Sequence, residues 1–447
     1  MIPLLIGDMI LFYREIDKQE EGIRSSMAIQ VKISRMAPVS LLVITLLGMA
    51  SCDIGGFSRA MLWTDRPEFA FYTEFFNTSQ ERYKVEVRFF DSSTQKLAEP
   101  GEHPDIVAAS WLKNSSTRTL FKPLDSIFSK DGLEQSAFYS RLLALGRIEK
   151  DLYLLPVSFN IPAIIFTPDS SRVSSNPFTI EMAEMKDHGE AYNRMSGGVY
   201  TRMGFSPSFS DEFLFLTAVL YGASFREASP IAWDPQALGQ SIAWIQQWIY
   251  EANTSIQMEE DFAFKYLHNP PDRLVNSGRT LYMYMDSSDY FTLPEERRRN
   301  LDFRWFAAKE TIPLDECIVY YGIHKKAKSK NAAKAFTKWF FKPETQKLLM
   351  EASKSKKLSE TSFGIAGGFS AMRTVTEQIF PQFYPDLLGH IPPENYLYPP
   401  NNLPRNWIDI KERVLVPYLR ERIRLHVSED VRSLERRITD WYRLNRE

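Results

Sequence analysis

The chain has 447 residues, 44% of them hydrophobic and 25% charged, with a formal net charge of −2 at pH 7. This is ordinary globular composition with room for two domains of substantial core, and it excludes a disordered chain and a multi-span membrane protein. No basic excess recommends nucleic acid as a partner, while the aromatic content of 13% supplies more rings than a core alone asks for and suits an aromatic-lined cleft.

Met36 to Ser51 is an uncharged apolar run preceded by Lys32 and Arg35, the build of a secretory signal, and it is too short for an ordinary membrane span. Its end, Gly48-Met49-Ala50-Ser51-Cys52, resembles a bacterial lipobox, with Met49 where Leu is commonest; a plain signal peptide or an uncleaved anchor are the other readings. The chain holds two cysteines, so acylation of Cys52 leaves Cys317 as a lone thiol with no intrachain disulfide. The acidic stretch Asp17 to Glu21 is wrong for the start of a signal, which makes Met27 the expected first residue. Residues 1–26 are therefore read as an extension called too early, 27–51 as the leader and 52–59 as a tether.

Ala60 to Trp63 begins a first strand, Pro67 stands at the first helical position after the polar Thr64, Asp65 and Arg66, and Phe71, Phe75 and Phe76 repeat at helical spacing. Val85, Val87 and Phe89 alternate with Glu86 and Arg88 as a second strand. Strand, helix, strand at this spacing predicts a parallel βαβ unit, and ligands on such sheets gather at the carboxyl ends of strands, where Thr64, Asp65, Arg66 and Glu68 lie. A solvated loop with a surface ion pair is the plain alternative. Pro104 to Ala109 is a third strand with Ser110 and Trp111 just beyond it; Trp111 is either a stacking ring or a core residue.

Asp151 to Asp169 holds two apolar runs broken by Pro156 and Pro162 around Ser158 and Asn160. A proline cannot donate to a sheet ladder, so Leu152 to Val157 and Ala163 to Thr167 read either as one kinked strand or as a chain leaving one sheet for another. Ser170 to Gly198 is polar, with helical patterning in Ile180 to Met185, and reads as variable surface structure. Asp234 and Pro235 form an N-cap and first-turn pair ahead of a helix with Leu238, Ile242, Ile245 and Ile249 on one face, and Trp244 and Trp248 extend that stripe into the core. Cys317 to His324 is a further strand, Lys325 to Lys334 reads as a solvated helix start with a basic patch as the lesser alternative, and Gly367-Gly368 is a place where the backbone is free to bend. Val431, Leu434, Ile438 and Trp441 mark one face of a terminal helix.

Several of these stretches carry a shared resemblance. Tyr153, Leu155, Pro156, Asn160, Phe166 and Asp169 follow the "YxLPxxxNxxxxxYNxD" region of bacterial extracellular solute-binding proteins of the carbohydrate-type ABC transporter class (family 1), with Phe166-Thr167 in place of the usual Tyr-Asn. The Pro104-Asp105 strand, Phe121 to Asp125, Gly204 to Pro207, Gly278 to Ser288, Cys317 to Gln346 and Gly364 to Arg373 are similar to successive motifs of the same family. Ser370 replaces a usual proline, and Asp289 with Tyr290 stands where the family often has Trp.

The resemblance implies an α/β, two-lobe, periplasmic-binding-protein-like (type II) fold, with a hinge of two to three crossover segments near Val157, Tyr320 and Gly364 and a ligand cleft between lobes. Residues 60–157 plus 318–362 would form the N-terminal lobe and 158–317 plus 363–447 the C-terminal lobe. The implied function is capture of a sugar or oligosaccharide and its delivery to the transmembrane subunits of an ABC permease, by a monomer held to the membrane through the lipid on Cys52 and facing the periplasm or cell exterior. Ligand contacts would come from Trp63, Asp65, Arg66, Trp111, Asn160, Phe205, Ser206, Asp286, Ser287, Asp289, Tyr290, Gly368 and Trp407, the last as the stacking ring of the second lobe. No cofactor or metal is expected: the six histidines are scattered without ligand spacing, and the nucleotide, nucleophile-elbow and H-E-x-x-H motifs are missing. The competing readings are a surface glycosidase, for which Asp65 and Asp286 would be the carboxylate pair, and a structural or adhesive lipoprotein without a small-molecule ligand.

Overall fold

The computed structural model describes residues 58–129, 132–168, 176–424 and 432–445. The extension of residues 1–26, the leader, Cys52, Asp169 and Val431 lie outside them.

The expected βαβ unit opens the first lobe. Strands β1 (Ser58–Thr64) and β2 (Tyr83–Phe89) run parallel from Ser58 opposite Tyr83 to Thr64 opposite Phe89, and α1 (Glu68–Ser79) crosses between them with Phe69, Tyr72 and Phe76 buried. β3 (Ile106–Ser110), buried at every residue, pairs parallel on the other side of β1 and is followed by the short helix α2 (Ser115–Arg118).

The two prolines mark a change of sheet. β4 (Leu155–Phe159) belongs to a six-stranded sheet with β1 to β3, whereas β5 (Pro162–Phe166), only two residues later, belongs to a separate four-stranded sheet. Each proline sits where a missing N–H does least harm: Pro156 beside a register shift in the pairing of β4, and Pro162 as the first residue of its strand. The second sheet adds β6 (Thr179–Glu181), β7 (Met283–Asp286) and β8 (Asp302–Ala307), in the order β7-β5-β8-β6. Its period-2 alternation divides two cores. Ala163, Ile165, Met283, Met285, Phe303 and Trp305 face the core shared with the first sheet, and Ile164, Phe166, Tyr282 and Phe306 face helices that include Asp211–Leu220 and Pro235–Ala252.

β6 and the helix Met182–Tyr192 occupy the polar stretch read as variable surface; a three-residue strand is too short to carry a period, although Ile180 and Met185 are fully buried. The terminal helix Leu434–Leu444 packs back through Leu434 and Ile438, as its stripe implies.

The chain returns to the first sheet through β9 (Ile312–Pro313) into β10 (Val319–Ile323), which lies between β3 and β4. The third passage differs from the expectation. β11 (Phe369–Ser370) pairs with β4 in the first sheet, Phe369 opposite Phe159, and Phe363, Phe369 and Phe380 pack ring against ring at 4.9 and 5.5 Å. Residues from 363 onward therefore stay with the first lobe until β12 (Leu397–Tyr398), which runs parallel to β9, and Leu403 is the first to join the second core. The glycines near 367 serve close packing instead of crossing: a Cβ on Gly368 would lie 2.6 Å from the Phe159 carbonyl oxygen.

A candidate ligand cleft between the lobes

The register of the first sheet fixes one wall. Thr64 at the end of β1, Ser110 at the end of β3, Val319 at the start of β10 and Ser158 near the end of β4 all lie at one edge, and the segments leaving that edge face the second lobe. The Asp65 carboxylate accepts the Ser110 N–H at 3.1 Å, and Arg66 Nη2 donates to Ser110 Oγ at 2.6 Å. Burial pushes the Asp65 carboxyl up to about 6 against the opposing pull of Arg66. Arg66 Nε forms an ion pair with Asp65 Oδ1 at 3.5 Å, without the alignment of a hydrogen bond. Trp111 leaves β3 at φ 64°, a left-handed conformation that a bulky residue adopts only when its surroundings impose it, and its half-buried ring lies against the second lobe's core.

The floor is a polar knot at the first passage. Asn160 donates from Nδ2 to the Gly367 carbonyl at 2.9 Å and accepts from Ser287 Oγ at 2.8 Å, while its own carbonyl accepts the Asp315 N–H at 3.1 Å. Ser287 Oγ also accepts the Ile161 N–H at 3.0 Å. Four chain segments meet there. Asn160 is thus partly committed, and Ser287, fully buried, serves the hinge and not a ligand.

The opposite wall is acidic. Asp286 ends β7 and caps α3 (Ser287–Thr292) through Ser288 N–H at 2.8 Å. Its carboxyl is raised to about 8, first by burial and then by Asp315. Burial also raises Asp289 beside it. Lys411 Nζ reaches both Glu212 and Glu316 at 2.7 Å and lies 4.0 Å from the centroid of the Phe215 ring. Burial would pull that ammonium down, but its two carboxylates raise it, so it stays charged; Glu212 is pushed up to about 8 by burial and by Glu316. Half-buried Tyr284 is held well above the usual phenol range by desolvation and then by Glu212, Asp286, Asp315 and Glu316, so all four carboxylates act on it. Cys317 is solvent-exposed, yet its thiol is raised by enclosure and by Asp315 and Glu316, with Arg66 and Lys411 opposing. A group that feels both walls and still meets water marks a recess between them.

Contacts beside the recess join the lobes directly. The backbone N–H of Ser115 donates to Glu227 at 2.9 Å and its hydroxyl at 2.7 Å, and Lys113 Nζ donates to the Pro400 carbonyl at 2.8 Å. Lys113 is pushed down to about 7, by burial first and then by Arg118.

The candidate cleft is therefore edged by Asp65, Arg66, Trp111, Asn160, Asp286 and Asp289, whereas Gly368 is buried against the Phe159 carbonyl. Five other residues expected there are core. Trp63 is 2% exposed with its ring 4.9 Å from Phe90, Phe205 stacks on Phe213 and Trp248, and Ser206 donates to buried Glu259 at 2.5 Å. Tyr290 packs on Phe291 and Phe303, and Trp407 is 1% exposed between Phe215 and Phe225. In each case the ring or hydroxyl has partners on its own lobe, which leaves no face for a ligand. The cleft residues missing from the sequence reading are Glu212, Asp315, Glu316 and Lys411; of these only Asp315-Glu316, a charged pair ahead of the apolar run CIVYYGI, left a local signal.

The charge on this wall has a measurable consequence. The Asp286 carboxyl moves from 3.8 to about 8 on folding, so the native state binds its proton more tightly than the unfolded chain does, and stability from this group falls as pH rises from about 4 to about 8. Asp286→Asn keeps an N-cap oxygen and removes the repulsion from Asp315. Thermal unfolding should show the variant about 1 to 2 kcal/mol more stable than the parent at pH 8 and equal to it at pH 4; the same difference at both pH values would contradict this electrostatic origin.

Two lobes on separate sheets, three connecting passages and opposed polar walls define a two-lobe binding protein of the type II class. The chain belongs to the family described as bacterial extracellular solute-binding protein, whose family model matches residues 63–347. Solved structures share the fold at low identity. An ABC substrate-binding protein of Listeria monocytogenes in complex with cycloalternan aligns with TM-score 0.58 and 12% identity over 87% of this chain and 99% of that one. A cyclic alpha-maltosyl-1,6-maltose binding protein of Arthrobacter globiformis aligns with TM-score 0.57 and 14% identity over 86% and 97%. UgpB of Mycobacterium tuberculosis in complex with glycerophosphocholine gives TM-score 0.56 and 11% identity over 87% and 98%. A sequence search of curated proteins finds no match. Among the described residues no helix is long and apolar enough to cross a membrane, and no group of His, Cys, Asp and Glu is arranged to hold a metal.

Proposed function

We propose that this chain captures a sugar or oligosaccharide between its lobes and delivers it to an ABC permease, as a lipoprotein anchored through Cys52. The observation that carries the reading is the pairing of a half-buried ring, Trp111, with hydrogen-bonding groups from both lobes, Asp65 and Arg66 on one side and Asp286 and Asp289 on the other. A ring for the apolar face of a pyranose and charged partners for its hydroxyls is the donor set such a ligand needs. The neighbours with cycloalternan and with cyclic maltosyl-maltose point the same way. Ligand bridging both walls favours the closed arrangement by its differential affinity, and Ser115–Glu227 and Lys113–Pro400 are closed-state contacts that opening would break.

The test is thermal unfolding against sugars, sugar phosphates, polyols, amino acids and polyamines. A ligand at about a hundred times its dissociation constant adds about 2.7 kcal/mol to the native state. A saturable rise with one glycan class and no turnover is the expected result. Turnover lost on changing Asp65 or Asp286 would instead establish the glycosidase, and no shift with any compound, in protein free of carried-over ligand, would favour the adhesive reading.

A further inference from the structure

Parallel strands give a sheet two unlike edges, and the edge away from the cleft is as basic as the cleft wall is acidic. The start of β1, the start of β3 and the end of β10 meet there: Ile323 lies opposite Ile106, and the His324 N–H donates to the Asp105 carbonyl at 3.0 Å. Lys325, Lys326, Lys328 and Lys330 leave this edge exposed, and the half-exposed Lys122 arrives from the loop after α2, its backbone N–H bonded to the Ile323 carbonyl at 2.9 Å. Lys330 acts on the Lys122 ammonium as a like charge, and Lys326 Nζ lies 2.9 Å from His103 Nε2, whose ring stacks 5.0 Å from that of His324.

The acidic side chains at this edge are engaged elsewhere. Asp105 spends its carboxylate on the backbone N–H groups of Met61, Lys328 and Ser329. Glu86 pairs with Arg59 and Glu102 with Arg88. None of the five lysines forms an ion pair with a described carboxylate. The resulting field is felt locally: His324 is pushed down to about 4, by burial first and then by His103, Lys325, Lys326 and Lys122, and Lys122 is lowered by desolvation and by Lys330.

The same edge is where the described chain begins. Ser329 Oγ donates to the Arg59 carbonyl, so the first residues of β1 emerge among these lysines. Cys52 precedes Ser58 by six residues in the sequence, a reach of at most about 20 Å. We infer that the lysine-rich edge of the first lobe is a docking surface for an anionic lipid bilayer, on which the protein rests with its cleft turned away from the lipid. Membrane apposition places the five ammonium groups within the range in which anionic headgroups attract lysine, and that attraction is screened by salt. The inference shares only the lipid anchor with the proposed function; a protein that binds no glycan would still show it.

Sedimentation of the full chain with phosphatidylcholine vesicles, and with vesicles in which about a third of the lipid is phosphatidylglycerol, tests it. An acyl anchor contributes equally to both, so the difference reads the surface. The expected result is about tenfold higher partitioning to the anionic vesicles at low salt, lost at about 1 M salt where the screening length is near 3 Å. The Lys122→Glu, Lys325→Glu, Lys326→Glu triple variant should abolish the difference while leaving the glycan-induced unfolding shift in place. If that variant misfolds, Lys325→Ala with Lys328→Ala and Lys330→Ala, all at exposed positions, should reduce the preference severalfold. Equal partitioning to both vesicles, or a preference unchanged in the variants, would overturn the inference, as would retention on heparin without preference for anionic lipid.

Discussion

Replacing Trp407 by alanine is expected to cost the native state about 3 to 5 kcal/mol, the usual price of deleting a buried aromatic. The ring is 1% exposed between Phe215 and Phe225, and its indole N–H donates to Glu316 Oε1 at 2.5 Å. Alanine opens a cavity and leaves a buried carboxylate oxygen short of a donor, and Glu316 already shares Lys411 with Glu212. Urea unfolding would read the loss as a lower midpoint with an unchanged slope. Trp407→Phe should recover much of the packing without the N–H. Normal stability with a large loss of glycan affinity would return Trp407 to the role of a stacking surface.

Trp111 should behave in the opposite way. Trp111→Ala removes a half-buried ring that lies between the lobes, and affinity for the glycan found in the unfolding panel should fall about 10- to 100-fold, about 1.4 to 2.7 kcal/mol. Trp111→Gly separates ligand binding from folding. At φ 64° glycine is unstrained, so the variant should match the parent's stability or exceed it by up to about 1 kcal/mol while losing affinity to the same degree. Isothermal titration with unfolding midpoints on the same samples checks both. Unchanged affinity in the glycine variant would place the ligand away from this ring.

What the sequence revealed follows from how locally each feature is determined. A break at Pro156 and Pro162 was legible because a proline's missing N–H acts at its own position, although the prolines alone left a kinked strand and a change of sheet open, and the parallel unit was legible because its periods of 2 and 3.6 lie within thirty residues. The third passage was not: Gly367-Gly368 has the composition of a bend whether the chain crosses to another lobe or presses against Phe159, and only the pairing of Phe369 with Phe159 decides. The tryptophans failed for a related reason. A ring in a core and a ring in a cleft have the same composition and spacing, and they differ in what packs on the second face, which is supplied by segments far along the chain. Trp407 meets Phe215 and Phe225 from nearly two hundred residues away. The rest of the acidic wall was hidden similarly, since Glu212, the pair Asp315-Glu316 and Lys411 come from three segments and only folding brings their charges to Asp286.

Cys317 gives the cleft a chemical handle of its own. It is solvent-exposed, it sits two residues from Asp315 and one from Glu316, and it feels Arg66 across the recess, so a dye attached there would report the distance between the walls as an optical signal. Its lowered thiol acidity sets the terms of that attachment: the reactive thiolate is scarce at neutral pH, so alkylation is slow there and quickens in more alkaline buffer. The negative charge of this wall thus also slows oxidation of the thiol, and a fluorophore attached under alkaline conditions turns any change in the spacing of the walls into a signal read in real time.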